Sequence, residues 1–241
     1  VEDIKRIEVI RGPISAAYGA NSYLGIINIM TKHPSDEIGT TVKLTGGNRE
    51  VADSYLNVSS RLANTDFRWT LGSKNKSGFD VQEDLETDNT DSSEATYSML
   101  RTFTQINDSM SMEWQLGYKE GVNEQIQTLD PNFVNYLEPE DTDATDSFLW
   151  VRLNQDFSRN HSGRLQAYSE RFERITEWGA CILPLPLAEP CGELNQNLDE
   201  RKTEIEYQLT SSWNENLRSV TGVRYRLDQL DSETYNGGYS E

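Results

Sequence analysis

Few residues in this 241-residue chain are suited to chemistry. His33 and His161 stand alone, and the only cysteines are Cys181 and Cys191, so no zinc-ligand spacing exists. A serine, a histidine and an aspartate can be picked out, but nothing assembles them into a triad. We expect no enzyme, no catalytic residue, no metal site and no cofactor. Carboxylates dominate: the formal net charge is −18, and DVQEDLETDNTDSSE, from Asp80 to Glu94, has no basic residue. Glu138 to Asp146 is similarly acidic. Such stretches read first as solvated loops kept extended by repulsion. Divalent-cation binding is the second reading, because calcium takes oxygen ligands, although the spacing matches no calcium loop. A charge this negative excludes a nucleic-acid partner. Among the basic residues Arg11 stands out, because it lies in a compact apolar stretch beside Gly12 and Pro13.

The elements that must position these residues follow two patterns. The opening stretch IEVIRGPISAAYGANSYLGIINIMTK, Ile7 to Lys32, holds two apolar runs joined by a turn-rich segment. It predicts a strand over 5–10, a turn at Gly12-Pro13, one helical turn capped by Ser15, and a second strand over 26–31 that is apolar on both faces and buried. From about residue 39 the pattern has period two. Met110, Met112, Trp114, Leu116, Tyr118 and Val122 share one face, which Glu120 interrupts, and polar residues and glycines share the other. Phe67, Trp69 and Leu71 oppose Arg68 and Thr70. Ile205, Tyr207 and Leu209 oppose Glu204, Glu206 and Gln208, while Val223, Tyr225 and Leu227 oppose Arg224, Arg226 and Asp228. Strands are expected near 39–48, 50–62, 66–76, 94–107, 109–123, 145–157, 162–178, 200–213 and 217–230.

These strands are long enough to cross a bilayer, which takes about 9–11 tilted residues. Their connections alternate: short at 63–65, 108, 158–161 and 214–216, and long at 77–93, 124–144 and 179–199. Short turns on one side and long loops on the other suit an outer-membrane barrel, apolar outside and wet inside. That also explains a mean hydropathy of −0.70 in a chain with no apolar run long enough for a membrane helix. The fold class is therefore mostly β: part of a transmembrane antiparallel β-barrel of about nine strands. Trp69, Trp114, Trp150, Trp178 and Trp213 are expected to supply some of its interfacial girdle. Cys181 and Cys191 flank ILPLPLAEP in an expected outer loop, where two close cysteines of an exported protein read as a disulfide. Such a bridge would contribute about 3 kcal/mol in the chain-entropy view.

The segment IKRIEVIRGPISAAYGANSYLGIINIMTK resembles the end of the plug domain of TonB-dependent outer-membrane receptors. The residues that carry the resemblance are Ile7, Glu8, Val9, Arg11, Gly12, Pro13, Ala17, Tyr18, Gly19, Gly25, Ile27, Asn28, Ile29, Thr31 and Lys32. The resemblance covers about the first 32 residues. It implies a C-terminal piece of an α+β plug over 1–32, a linker over 33–38 and the N-terminal portion of the barrel over 39–241. The whole receptor would be a barrel of about 22 strands filled by its plug. This chain then reads as an internal piece, with the TonB-contact segment and the remaining strands elsewhere.

By the same resemblance, the protein is a receptor and active transporter in the bacterial outer membrane. Its expected partners are the TonB energy-coupling complex, outer-membrane lipid and lipopolysaccharide, and a small-molecule or metal-chelate substrate, with a ferric siderophore foremost. A passive porin or adhesion barrel is the alternative, and a soluble all-β binding module a third reading. Family members pair plug arginines with barrel carboxylates, so Arg11 with Glu204 and Glu206 is the expected plug–barrel ion pair. Two solvated glutamates and an arginine stabilising its own turn are the bland alternative.

Overall fold

The computed structural model of the protein describes residues 2–12, 24–78, 92–125, 140–180 and 192–236. These form two antiparallel sheets. The smaller pairs β1 (Ile4–Arg11) with β2 (Gly25–Thr31). The larger has nine strands in unbroken sequence order: β3 (Gly39–Gly46), β4 (Ala52–Leu62), β5 (Thr65–Lys76), β6 (Ser93–Asn107), β7 (Met110–Gln125), β8 (Glu140–Ser158), β9 (His161–Ala180), β10 (Gly192–Asn214) and β11 (Leu217–Asn236). Among the described residues there is no helix.

The up-and-down order follows from the turns. Residues 63–64, 108–109, 159–160 and 215–216 join neighbouring strands at one edge of the sheet. Two-residue connections leave no room for a crossover, so each strand pairs with the next. At the other edge the links span 47–51, 77–92, 126–139 and 181–191. Two expected loops are thus shorter than the sequence suggested. Strand β8 begins at Glu140 rather than near 145, and β10 at Gly192 rather than near 200. Alternation of apolar and polar side chains stops where both faces of a strand meet water, while backbone pairing continues.

Register makes the two faces explicit. One rung around the wall runs Phe67, Thr102, Trp114, Val151, Ala167, Ile205, Tyr225. The adjacent rung, one residue along each strand, runs Arg68, Arg101, Gln115, Trp150, Tyr168, Glu204, Arg226. The first face is apolar and open: Leu116, Ile205, Val223 and Tyr225 are exposed, and no second sheet covers them. Among the described residues these side chains form no dry core between two stacked sheets. The second face is polar, yet it holds the buried residues Asn57, Ser59, Arg68 and Thr70. Tyr55 is the single buried large hydrophobic among the described residues. A wall oily outside and satisfied by hydrogen bonds inside inverts the usual globular arrangement and meets the demands of lipid.

Two expectations need correction. Strand β2 is not buried: Ile27 and Ile29 are 69% and 55% exposed, because no described element packs on that side of the hairpin. Trp150 is no girdle residue, since it faces the polar side with Arg152 over its ring at 4.6 Å. Trp69 and Trp114 do lie on the apolar face.

Candidate functional site: the junction between hairpin and wall

The β1–β2 hairpin is tied to the polar face of the wall by a buried ionic cluster. Arg68 on β5 alternates with Phe67 and Trp69, so the pleat turns it inward. Its side chain is 4% exposed, and its guanidinium donates to Asp3 Oδ1 at 2.8 Å through Nε, with Nη2 at 2.7 Å. Asp3 precedes β1 and is itself 11% exposed. The Tyr55 hydroxyl donates to the same Asp3 oxygen at 3.3 Å and accepts from Arg68 Nη2 at 3.2 Å. Arg68 Nη1 reaches Ser59 Oγ at 3.3 Å, Ser59 donates to Asn57 Oδ1 at 3.0 Å, and Asn57 donates to Thr70 Oγ1 at 3.0 Å. Buried charge is tolerated where it is paired and its remaining hydrogen bonds are filled, and this cluster meets both conditions.

A second arginine holds the exit from the hairpin. Arg101 on β6 donates through Nη1 to Thr31 Oγ1 at 2.6 Å and to the Lys32 carbonyl at 3.0 Å. Its Nη2 lies 3.3 Å from Glu113 on β7. His33 stands edge-on to Phe103 of β6, with ring centroids 5.0 Å apart. The segment after β2 folds back on the hairpin: Lys5 pairs with Asp36 at 2.9 Å, Lys32 with Glu37 at 2.8 Å, and Pro34 is buried. The Lys5 hydrogen bond, then the His33 backbone N–H, hold the Asp36 carboxyl below its ordinary range. Glu2, which accepts from Lys43 of β3 at 2.9 Å, is lowered to about 2 chiefly by that bond.

The residues expected to bridge plug and barrel lie elsewhere. Glu204 and Glu206 do face the polar side, but Arg224 of the neighbouring β11 holds them, 3.6 Å from Glu204 and 2.5 Å from Glu206. Arg11 ends β1 and has no ion pair among the described residues. Gly12 and Gly25 form the mouth of the hairpin. Gly25 has φ +152°, and a Cβ there would meet the Ile10 carbonyl oxygen at 2.6 Å, so only glycine fits. Asn28 donates to Glu8 across the hairpin at 3.0 Å. Pro13, Tyr18, Gly19, Cys181 and Cys191 lie outside the described residues, as do 79–91 and 126–139 with most of the acidic stretches. Among the described residues no three histidines, cysteines or carboxylates are placed to hold a metal ion.

Sequence reading missed Asp3, Arg68 and Arg101. The signal was present for the arginines, which occupy inward positions of strands whose outward positions are apolar. Their partners lie 65 and 70 residues away, and no local pattern names them.

No family model matches the chain. Over 37 residues it is 49% identical to the ferric enterobactin receptor PirA of Pseudomonas aeruginosa, a match covering 15% of this chain and 5% of that protein. Over 81 residues it is 30% identical to the vitamin B12 transporter BtuB of Vibrio vulnificus, covering 33% of this chain and 13% of that one. The fold is similar to the ferripyoverdine receptor of the outer membrane of Pseudomonas aeruginosa, with TM-score 0.74 and 16% identity over 96% of this chain and 33% of that receptor. The chain thus spans about a third of the solved receptor it matches, and smaller parts of the two curated relatives.

Proposed function

We propose, from the premise that this chain carries the fold of the TonB-dependent outer-membrane receptors, that it belongs to an active transporter for a scarce solute. The solute binds between the outer loops and the plug, and an inner-membrane energy complex then acts on the plug to admit it. The observation that carries this reading is the buried Asp3–Arg68 contact, which docks the β1–β2 hairpin against the inner face of the wall. A passive pore has no use for a stopper fixed by a desolvated ion pair. A ferric siderophore is the favoured substrate, because one relative is named for ferric enterobactin and the fold neighbour holds ferripyoverdine. Vitamin B12 is the runner-up, after the other relative.

The outer rim suits the lipid expected around it. On the outward face above Tyr118 and Ser147, the same rung carries Arg171 and Arg201, which share Asp199 at 3.0 and 3.1 Å. Charged side chains pointing outward just past an apolar band fit the phosphates of lipopolysaccharide and the cations between them.

The test uses the complete gene in a strain lacking its own siderophore receptors. Growth on ferric enterobactin as sole iron source, lost when the TonB gene is deleted, is expected. Growth that survives this deletion would overturn active transport in favour of a pore. No uptake of ferric enterobactin, with uptake of vitamin B12, would move the substrate to the runner-up.

A further inference from the structure

The inner face also carries arginines whose charge is not answered. In the rungs nearest the two-residue turns, Arg61 is paired with Asp66, Arg68 with Asp3 and Arg101 with Glu113. Arg224 and Arg226 of β11 have Glu206 and Asp228. Between these two groups, near the two-residue turns, Asp156 is the one inward carboxylate of β8 and β9. Arg152 on β8 bonds the Gln166 amide oxygen at 3.1 and 3.3 Å, with the shared Glu113 only at 4.0 Å. Arg164 on β9 has the Gln208 amide and, among the described residues, no ion pair. Arg218 on β11 is exposed, with no ion pair or hydrogen bond among the described residues. In a chain of net charge −18, amides stand where acids would be the ordinary choice. An amide oxygen satisfies part of a guanidinium fork and none of its charge.

Arg164 and Arg218 open onto one concavity of about 360 Å³ on the inner face, shared with Asn154, Asp156, Gln208 and Thr210. Its charged groups are two guanidiniums and the exposed carboxylate of Asp156, which forms an ion pair with neither among the described residues. The amide and hydroxyl groups supply further donors. We infer that this concavity is an oxyanion site: Arg164 and Arg218 take a carboxylate or phosphate group at the turn-side end of the inner wall. The inference rests on the transport reading and deepens it, because a basic station on the turn-side inner face favours a solute bearing a carboxylate or phosphate. The same chemistry has a second source, a carboxylate of the plug, since Asp3 already meets Arg68 in this way one sector along the wall.

Calorimetric titration of the full-length receptor in lipid nanodiscs with citrate, at low ionic strength, tests the site. Each of Arg164→Gln and Arg218→Gln should weaken citrate about tenfold, as loss of one charge-assisted hydrogen-bonding partner predicts. Arg164→Lys, which keeps the charge and loses the fork, should fall between. Arg226→Gln, an equal charge change at a paired arginine, should stay within about twofold. If a plug carboxylate occupies the site, the wild type will not bind citrate, and both Gln variants will instead speed hydrogen exchange in the plug. The site is overturned if citrate binds equally to the wild type and all four variants, or if citrate binding is absent and plug exchange is unchanged. Solute uptake measured separately keeps the two readings apart, since citrate binding does not require the energy complex.

Discussion

The two ends of the wall obey one alternation and put it to different uses. In β4–β6 the inward residues are short or tightly held, the pairs of Arg68 and Arg101 are largely shielded from water, and the hairpin lies against them. In β9–β11 the inward residues are long and charged, their pairs are open to solvent, and no described hairpin residue reaches them. Arg68 is 4% exposed, whereas Arg224, which pairs equally closely, is 56% exposed. Burial, not distance, separates a contact that fixes two bodies from one that decorates a surface. Desolvation makes the loss of either partner expensive in the first case, while water replaces the partner in the second.

That contrast sets the order of expected effects. Arg68→Ala should be the most damaging, destabilising the hairpin's attachment by about 3–5 kcal/mol because it strands Asp3. Hydrogen exchange across residues 2–12 of the complete receptor would report it, and the double variant Asp3→Asn/Arg68→Gln should recover part of the loss. Equal protection in wild type and Arg68→Ala would erase the distinction between the two sectors. Next, Leu149→Arg on the apolar face should cost about 2–4 kcal/mol in lipid, read from urea unfolding in bilayers. Arg224→Gln, on the open side, should cost less than about 1 kcal/mol in the same assay. The smallest effect concerns pH. The folded state lowers the carboxyls of Glu2 and Asp36, so their contribution is complete above their ordinary values of 4.5 and 3.8. It fades as pH falls below those values, for Glu2 toward about 2. Protection factors in the segment 32–38, with the intrinsic pH dependence of amide exchange divided out, should therefore fall on acidification below about pH 4 and stay flat between about pH 5 and 8.

Much of the wall was legible because lipid and lumen impose opposite demands on neighbouring residues. Leu116 and Tyr118 against Gln115 and Lys119 could be read directly from the sequence. Strand β6 alternates less cleanly for a local reason. The ring of Tyr97 lies across Gly72 of β5, so an aromatic residue occupies the polar face without filling the lumen. Phe148 lies across Gly117 in the same way. The upper parts of β8 and β10 were missed because water on both sides removes the pattern while pairing persists. The ion pair was misassigned for a further reason. Composition shows that arginines and carboxylates share an interior, but the partner of each is set by strand register and hairpin placement, and neither is a property of a short stretch.

Strand length climbs from 8 residues in β3 to 23 in β10. At about 3.3 Å per residue the difference comes to about 50 Å along the strand direction. With every two-residue turn at one edge, the opposite edge must slope like a parapet rising to one side. Along the described strands the paired backbone thus stands lowest at β3 and tallest at β10, and the free end of this stretch of wall is graded rather than level.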